Sequence, residues 1–179
     1  MYGKTGFATQ ADYDRDRYAR LTAARDAARG PDPIETLSGE ECAYLAGLID
    51  GEGSIFVAAV GPQRSRTVYP IVCVAMTHRG VIDWLCVRLS SGTVQLHNST
   101  NLRRHPTYKP QYRFQVFGKR AQLLCRKMLP YLRVKSEHAR LVCEFPCDAR
   151  IAPGVKIERS EINETRYRLR DRINALNHP

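Results

Sequence analysis

From residue 37 onward the apolar positions switch between a helical period and a strand period, and each switch marks an element. Residues 1–36 are polar and charge-balanced. One helical stretch there, from about Ala11 to Arg29, is closed by "GPDP", so this part reads as an accessory helix or arm. At Leu37 the pattern changes. Ser38 followed by Glu41 forms a capping box, and Leu37 and Cys42 have the spacing of a hydrophobic staple. The helix opened there runs to about Gly51, with Gly51 and Gly53 supplying the freedom to leave it.

The runs "SIFVAAV" (54–60) and "TVYPIVCVAM" (67–76) are rich in β-branched residues and predict a hairpin, in which Pro70 implies an edge or a bulge. Helical spacing returns in "GVIDWLCVRLS" (80–90). A second hairpin pairs "TVQLHN" (93–98) with "QYRFQVF" (111–117), and helices from about 119 to 129 and 136 to 145 are broken at Pro130. The order predicts an α+β core over 37–149 with one antiparallel sheet, followed by a helical extension over 150–179.

Within the first helix, Leu45, Leu48 and Ile49 share one side, whereas Ala43, Ala46, Gly47 and Asp50 share another. A face of small residues suits the close approach of a second helix, which with a single copy in the chain would come from a second subunit; it equally describes close packing inside one domain. Asp50 and Glu52 stand at the helix C-terminus, where the macrodipole disfavours negative charge. A divalent cation would resolve that, and solvated turn acids are the plain alternative.

Composition adds a direction. The net charge is +10, and residues 61–120 hold 10 basic residues and 1 acidic one, beside a stretch at 40–60 with 4 acids and no base. A basic block next to an acidic one suggests a polyanion-binding face with a cation site beside it. In "QYRFQVF", Gln111, Arg113 and Gln115 alternate with Tyr112, Phe114 and Val116, and Gln95 and His97 repeat this on the preceding strand. Polar side chains could thus meet base edges while the apolar set covers a core. Arg64, Arg66, Arg103, Arg104, His105 and Lys109 flank the hairpins and suit phosphates. Cys42, Cys73, Cys86, Cys125, Cys143 and Cys147 form no metal-ligand spacing and read as reduced core residues. No apolar run approaches the roughly 18 to 20 residues of a membrane span, and the N-terminus lacks the order of a secretory signal. A soluble, intracellular protein is expected, in a prokaryotic cytoplasm or an organelle alike.

The nonapeptide "LAGLIDGEG" (45–53) resembles the signature of the LAGLIDADG homing endonucleases, and the helix and hairpin order extends the likeness over about 38–146. The resemblance implies an αββαββα fold with a saddle-shaped sheet and a homodimer joined through the motif helices. It implies site-specific cleavage of both strands of duplex DNA at a long, nearly palindromic site, with Mg²⁺ (or Mn²⁺), short 3′ overhangs and a role in homing of an intron or intein. By position, Glu52 would bind the metal with the main-chain carbonyl of Gly51, and Asp50 would be a structural acid. "LPYLRVKSEHARLV" (129–142) would supply Lys135 beside the scissile phosphate, and "AMTHRG" (75–80) would supply His78 to order water.

Two other classes fit parts of this. A non-cleaving binder of the same fold, an intron maturase or a transcription regulator, would have no use for Glu52 and Lys135 beside a phosphate. A metal enzyme for small phosphorylated molecules leaves the basic middle third unexplained.

Overall fold

The computed structural model describes residues 30–62, 66–90, 107–148 and 161–177, with the backbone alone for 93–96. All the described elements lie in one compact unit, Pro33–Pro179, separate from a unit Met1–Asp32. Its elements in chain order are α1 (Gly39–Glu52), β1 (Gly53–Val60), β2 (Thr67–Met76), α2 (Arg79–Leu89), β3 (Thr93–Leu96) and β4 (Tyr112–Phe117). Three helices follow: α3 (Gly118–Met128), α4 (Ser136–Cys143) and α5 (Glu161–Asn177). None of the described helices is long and apolar enough to cross a membrane.

The four strands form one antiparallel sheet in the order β1-β2-β4-β3. Ile55, Val57, Val72, Val74, Phe114 and Val116 lie on the face whose side chains join the buried residues of all five helices in one core. That core also takes in Ile34, Leu37, Leu169 and Ile173, so the chain is committed to it from just after Pro33 and again within the last helix. Pro70 lies inside β2, which is an interior strand. The pairing with β4 begins only at Ile71, so around Pro70 the strand is an edge on that side and the missing N–H interrupts no ladder there.

The capping box is formed: Ser38 Oγ accepts from the Glu41 N–H at 3.2 Å and Glu41 Oε2 accepts from the Ser38 N–H at 2.9 Å. Glu41 also takes the fork of Arg88, from the last turn of α2, with Nη2 to Oε2 at 2.8 Å. The same guanidinium donates to the carbonyls of Pro33 and Thr36, at 3.2 and 3.0 Å. One arginine therefore fastens the entering chain, the start of α1 and the end of α2. At the far side of the core, the buried Gln122 amide of α3 reaches the Val142, Cys143 and Phe145 carbonyls at 3.1, 3.0 and 2.6 Å, satisfying the end of α4.

Helix α1 buries Cys42, Leu45, Ala46 and Ile49 and runs through Gly51 to Glu52. Ala46 is fully enclosed, so it belongs to the core stripe, not to a face offered to a second helix; spacings of four from Cys42 and three from Ile49 put it there. Gly53 leaves the helix with an ordinary extended backbone, φ −97°. What demands glycine is proximity: a Cβ at Gly53 would lie 2.7 Å from Ile49 Cα and 3.0 Å from the Cys73 carbonyl, whereas one at Gly47 or Gly51 would meet nothing within 4 Å. All six cysteines are free thiols, and burial pushes those of Cys73, Cys125, Cys143 and Cys147 up, so they pack as neutral groups.

Two outcomes follow from this packing. Gly53→Ala should lower the unfolding free energy by about 1–3 kcal/mol through overpacking, while Gly51→Ala should not, as urea titration of the two variants would show. The hydrogen bonds from Arg88, and then from the Ser38 N–H, lower the Glu41 carboxyl from its ordinary 4.5 to about 2. A folded-state value below the unfolded one gives stability that is complete above the unfolded value and disappears as pH falls through the folded one. Glu41→Gln should therefore melt below wild type at pH 6, with the gap closing between pH 4.5 and 2 in thermal melts.

Candidate functional site

The register of β1 on β2 starts at Gly53 opposite Val74, so the C-terminus of α1 sits at the end of the sheet where β2 runs out toward His78. The same end receives the segment before α4. Asp50 Oδ2 accepts from the main-chain N–H groups of Arg133 and Val134 at 2.7 and 3.2 Å, and Oδ1 accepts from that of Lys135 at 2.9 Å. In return, Lys135 Nζ donates to the main-chain carbonyl of Asp50 at 2.6 Å. Burial alone would raise the Asp50 carboxyl, but the three N–H groups together with the Lys135 charge outweigh it and hold the carboxyl below its usual range.

This answers the electrostatic problem of the motif. Helix α1 has no basic residue in its last turn, and its negative end is met by an ammonium from 85 residues away. The Asp50 side chain faces the N-terminus of α4, where an acid is favoured. Asp50 is thus engaged on both its oxygens within its own chain, a structural duty that its place on the helix face did not reveal. On the exposed side of α1, Ala43, Gly47 and Gly51 stand four residues apart, with Glu40 and Tyr44 exposed beside them.

Glu52 closes α1 with its side chain exposed. Among the described residues no group of three or more His, Cys, Asp or Glu stands together as a metal cage. Mg²⁺ usually takes one or two carboxylates, retains water and shares substrate phosphates. Glu52 and the Gly51 carbonyl therefore match part of such a donor set and leave the remainder to other groups. His78 follows β2 and caps α2, its Nδ1 accepting from the Val81 N–H at 3.3 Å. The ring thus has a local structural duty that its position in the sequence did not reveal.

The sheet face away from the core carries the polar alternation. Strand pairing sets Ser54, Cys73, Gln115 and Thr93 in one row and Ala75, Arg113 and Gln95 in the next, nearest the end where Asp50 and Lys135 meet. A further row, Phe56, Ile71 and Phe117, lies on the other side of Ser54, with Tyr69 edge-on to Phe117 at 6.2 Å. The alternation in β4 located Arg113 and Gln115. The aromatic row was signalled only by the unbroken apolar run in β2, which means that both faces of that strand are apolar. Arg66 donates to the Gly61 carbonyl at the hairpin, Lys109 is exposed and Gln111 is half-buried just before β4. Arg64, His97, Arg103, Arg104 and His105 lie outside the described residues.

No protein-family model matches the sequence, and no curated protein matches it. Solved structures do. The homing endonuclease I-CvuI in complex with its target Sro1.3 in the presence of 2 mM Ca is matched with a TM-score of 0.62 and 23% identity, over 79% of this chain and 84% of that one. I-CvuI with the I-CreI target C1221 in 2 mM Mg, where the DNA is not cleaved, gives 0.61 and 23% over 78% and 83%. The LAGLIDADG homing endonuclease I-LtrWI bound to target DNA gives 0.51 and 16%, over 76% of this chain and 44% of that one. The likeness at this identity is one of fold: this chain has the LAGLIDADG homing endonuclease fold.

Proposed function

We propose that the protein is a divalent-metal-dependent, site-specific DNA endonuclease that works as a homodimer on a long, nearly palindromic duplex and leaves short 3′ overhangs. The observation that carries this is the meeting of Lys135 with the end of α1, two residues before Glu52, beside the polar rows of the sheet. A fold whose solved neighbours are DNA complexes supports the same reading.

In this reading Glu52 and the Gly51 carbonyl of each subunit hold Mg²⁺ or Mn²⁺, which when bound supplies water activation and charge neutralisation at the phosphate. Lys135 faces the scissile phosphate as a fixed positive charge. His78 keeps Nε2 free of the capping bond for ordered water. Gln95, Arg113 and Gln115 meet base edges, Gln111 extends their row, and Arg66 and Lys109 meet phosphates together with Arg64, His97, Arg103, Arg104 and His105. The subunits join along Ala43 and Gly47, where the open space around Gly47 gives the protomer alone no reason to exclude a side chain.

Cleavage selection from a randomised palindromic library with Mg²⁺ tests the activity and its symmetry together; recovery of nicked or asymmetric sites alone would refute the symmetric dimer. On a recovered site, Glu52→Gln should lose about 10²–10³-fold or more in cleavage rate and keep its affinity in gel shifts. Cleavage at the full rate by that variant would remove Glu52 from the chemistry. Gly47→Leu should convert a dimer to a monomer on sizing with light scattering while the protomer stays folded. Persistence of the dimer would exclude α1 as the interface.

A further inference from the structure

The Asp50 carboxylate does more than end a helix. Its two oxygens bind three consecutive main-chain N–H groups, those of Arg133, Val134 and Lys135. Three N–H groups converging on one anion fix the path of the backbone through the last residue before α4. The Lys135 side chain leaves from that residue and returns to the Asp50 carbonyl. Side chain and main chain of a single residue thus set both the base and the tip of the lysine. Lys135 has no capping side chain of its own at α4, so Asp50 alone among the described side chains meets these three donors.

We infer that Asp50 is a positioning residue, which places the Lys135 ammonium at the C-terminal end of α1 by gripping the backbone at 133–135. The inference rests on the proposed role of Lys135. An acid of the motif thus acts through the lysine. Asn in place of Asp would remove the charge and turn an NH₂ toward N–H donors, so at least one of the three bonds would be lost and the segment released. Lys135 would then sample other rotamers, and misplacement by an ångström is enough to slow catalysis about 100-fold.

The experiment combines kinetics with a chemical footprint of the lysine. On a duplex recovered from the palindromic library, D50N should lose roughly 100-fold in single-turnover cleavage rate with affinity for that duplex unchanged. E41Q, at the other end of the same helix, serves as the stability control and should cleave at the wild-type rate. In DNA-free, metal-free protein, pulsed acylation with acetic anhydride read by mass spectrometry should label Lys135 about tenfold more slowly in wild type than in D50N. D50N that cleaves normally, or that leaves Lys135 as protected as in wild type, overturns the inference while leaving the proposed function standing. K135Q that cleaves at the wild-type rate overturns the role of Lys135 and the inference with it. If D50N does not fold, wild-type protein decides: Lys135 labelled as fast in the native protein as in urea-unfolded protein, or fast hydrogen exchange of the 133–135 amides, overturns the inference.

Discussion

Helix α1 is buried along one stripe and both of its ends are tied to groups from elsewhere: its first turn carries the acids its dipole prefers, Glu40 and Glu41, whereas its last turn carries no base. At the start, Glu41 fits the dipole but is tied in addition to Arg88, which also holds the entering chain. At the close, the dipole and two acids of the motif would repel, and the segment at 133–135 supplies three N–H groups and an ammonium in compensation. Sheet, helical layer and site are arranged around a helix held in this way. Gly53 then lets the chain turn from the helix end directly into the sheet, against the Cys73 carbonyl, with no room for a side chain.

Much of this was legible in the sequence because it is local. The capping box spans four residues, the strand alternation has a period of two, and the nonapeptide names a fold whose solved members match in three dimensions. What stayed hidden depends on partners far along the chain. Ala46 looked like part of a small outer face and lies in the core, since small size does not say which side a neighbour approaches. Glycine at 51 and 53 looked like two instances of backbone freedom, yet one borders open space and the other a carbonyl. The partners of Asp50 sit 83 to 85 residues away, and nothing in the spacing of the motif announces them.

The same distinction applies to the sheet. Residues that alternate in β4 could be assigned to a face from sequence alone, whereas their neighbours across the sheet follow from a register that brings Ser54, Cys73 and Thr93 to Gln115. That register sets polar rows toward the end where Lys135 meets α1 and an aromatic row beyond them. A polyanion lying on this face would meet charge and hydrogen-bonding groups first near Lys135 and apolar surface farther out, which divides contact chemistry along the strands.

The bond between Asp50 and residues 133–135 also bears on the order in which the molecule comes together. Contacts that close a loop of this length form late, because the chain must order much of the intervening sequence before they repay its entropy. During synthesis, α1 and both hairpins leave the ribosome well before Lys135 does, so a nascent chain carries the motif with its negative end uncompensated. The ammonium reaches the Asp50 carbonyl only when nearly the whole core exists, and an incomplete chain exposes the end of α1 without the charge that meets it in the folded protein.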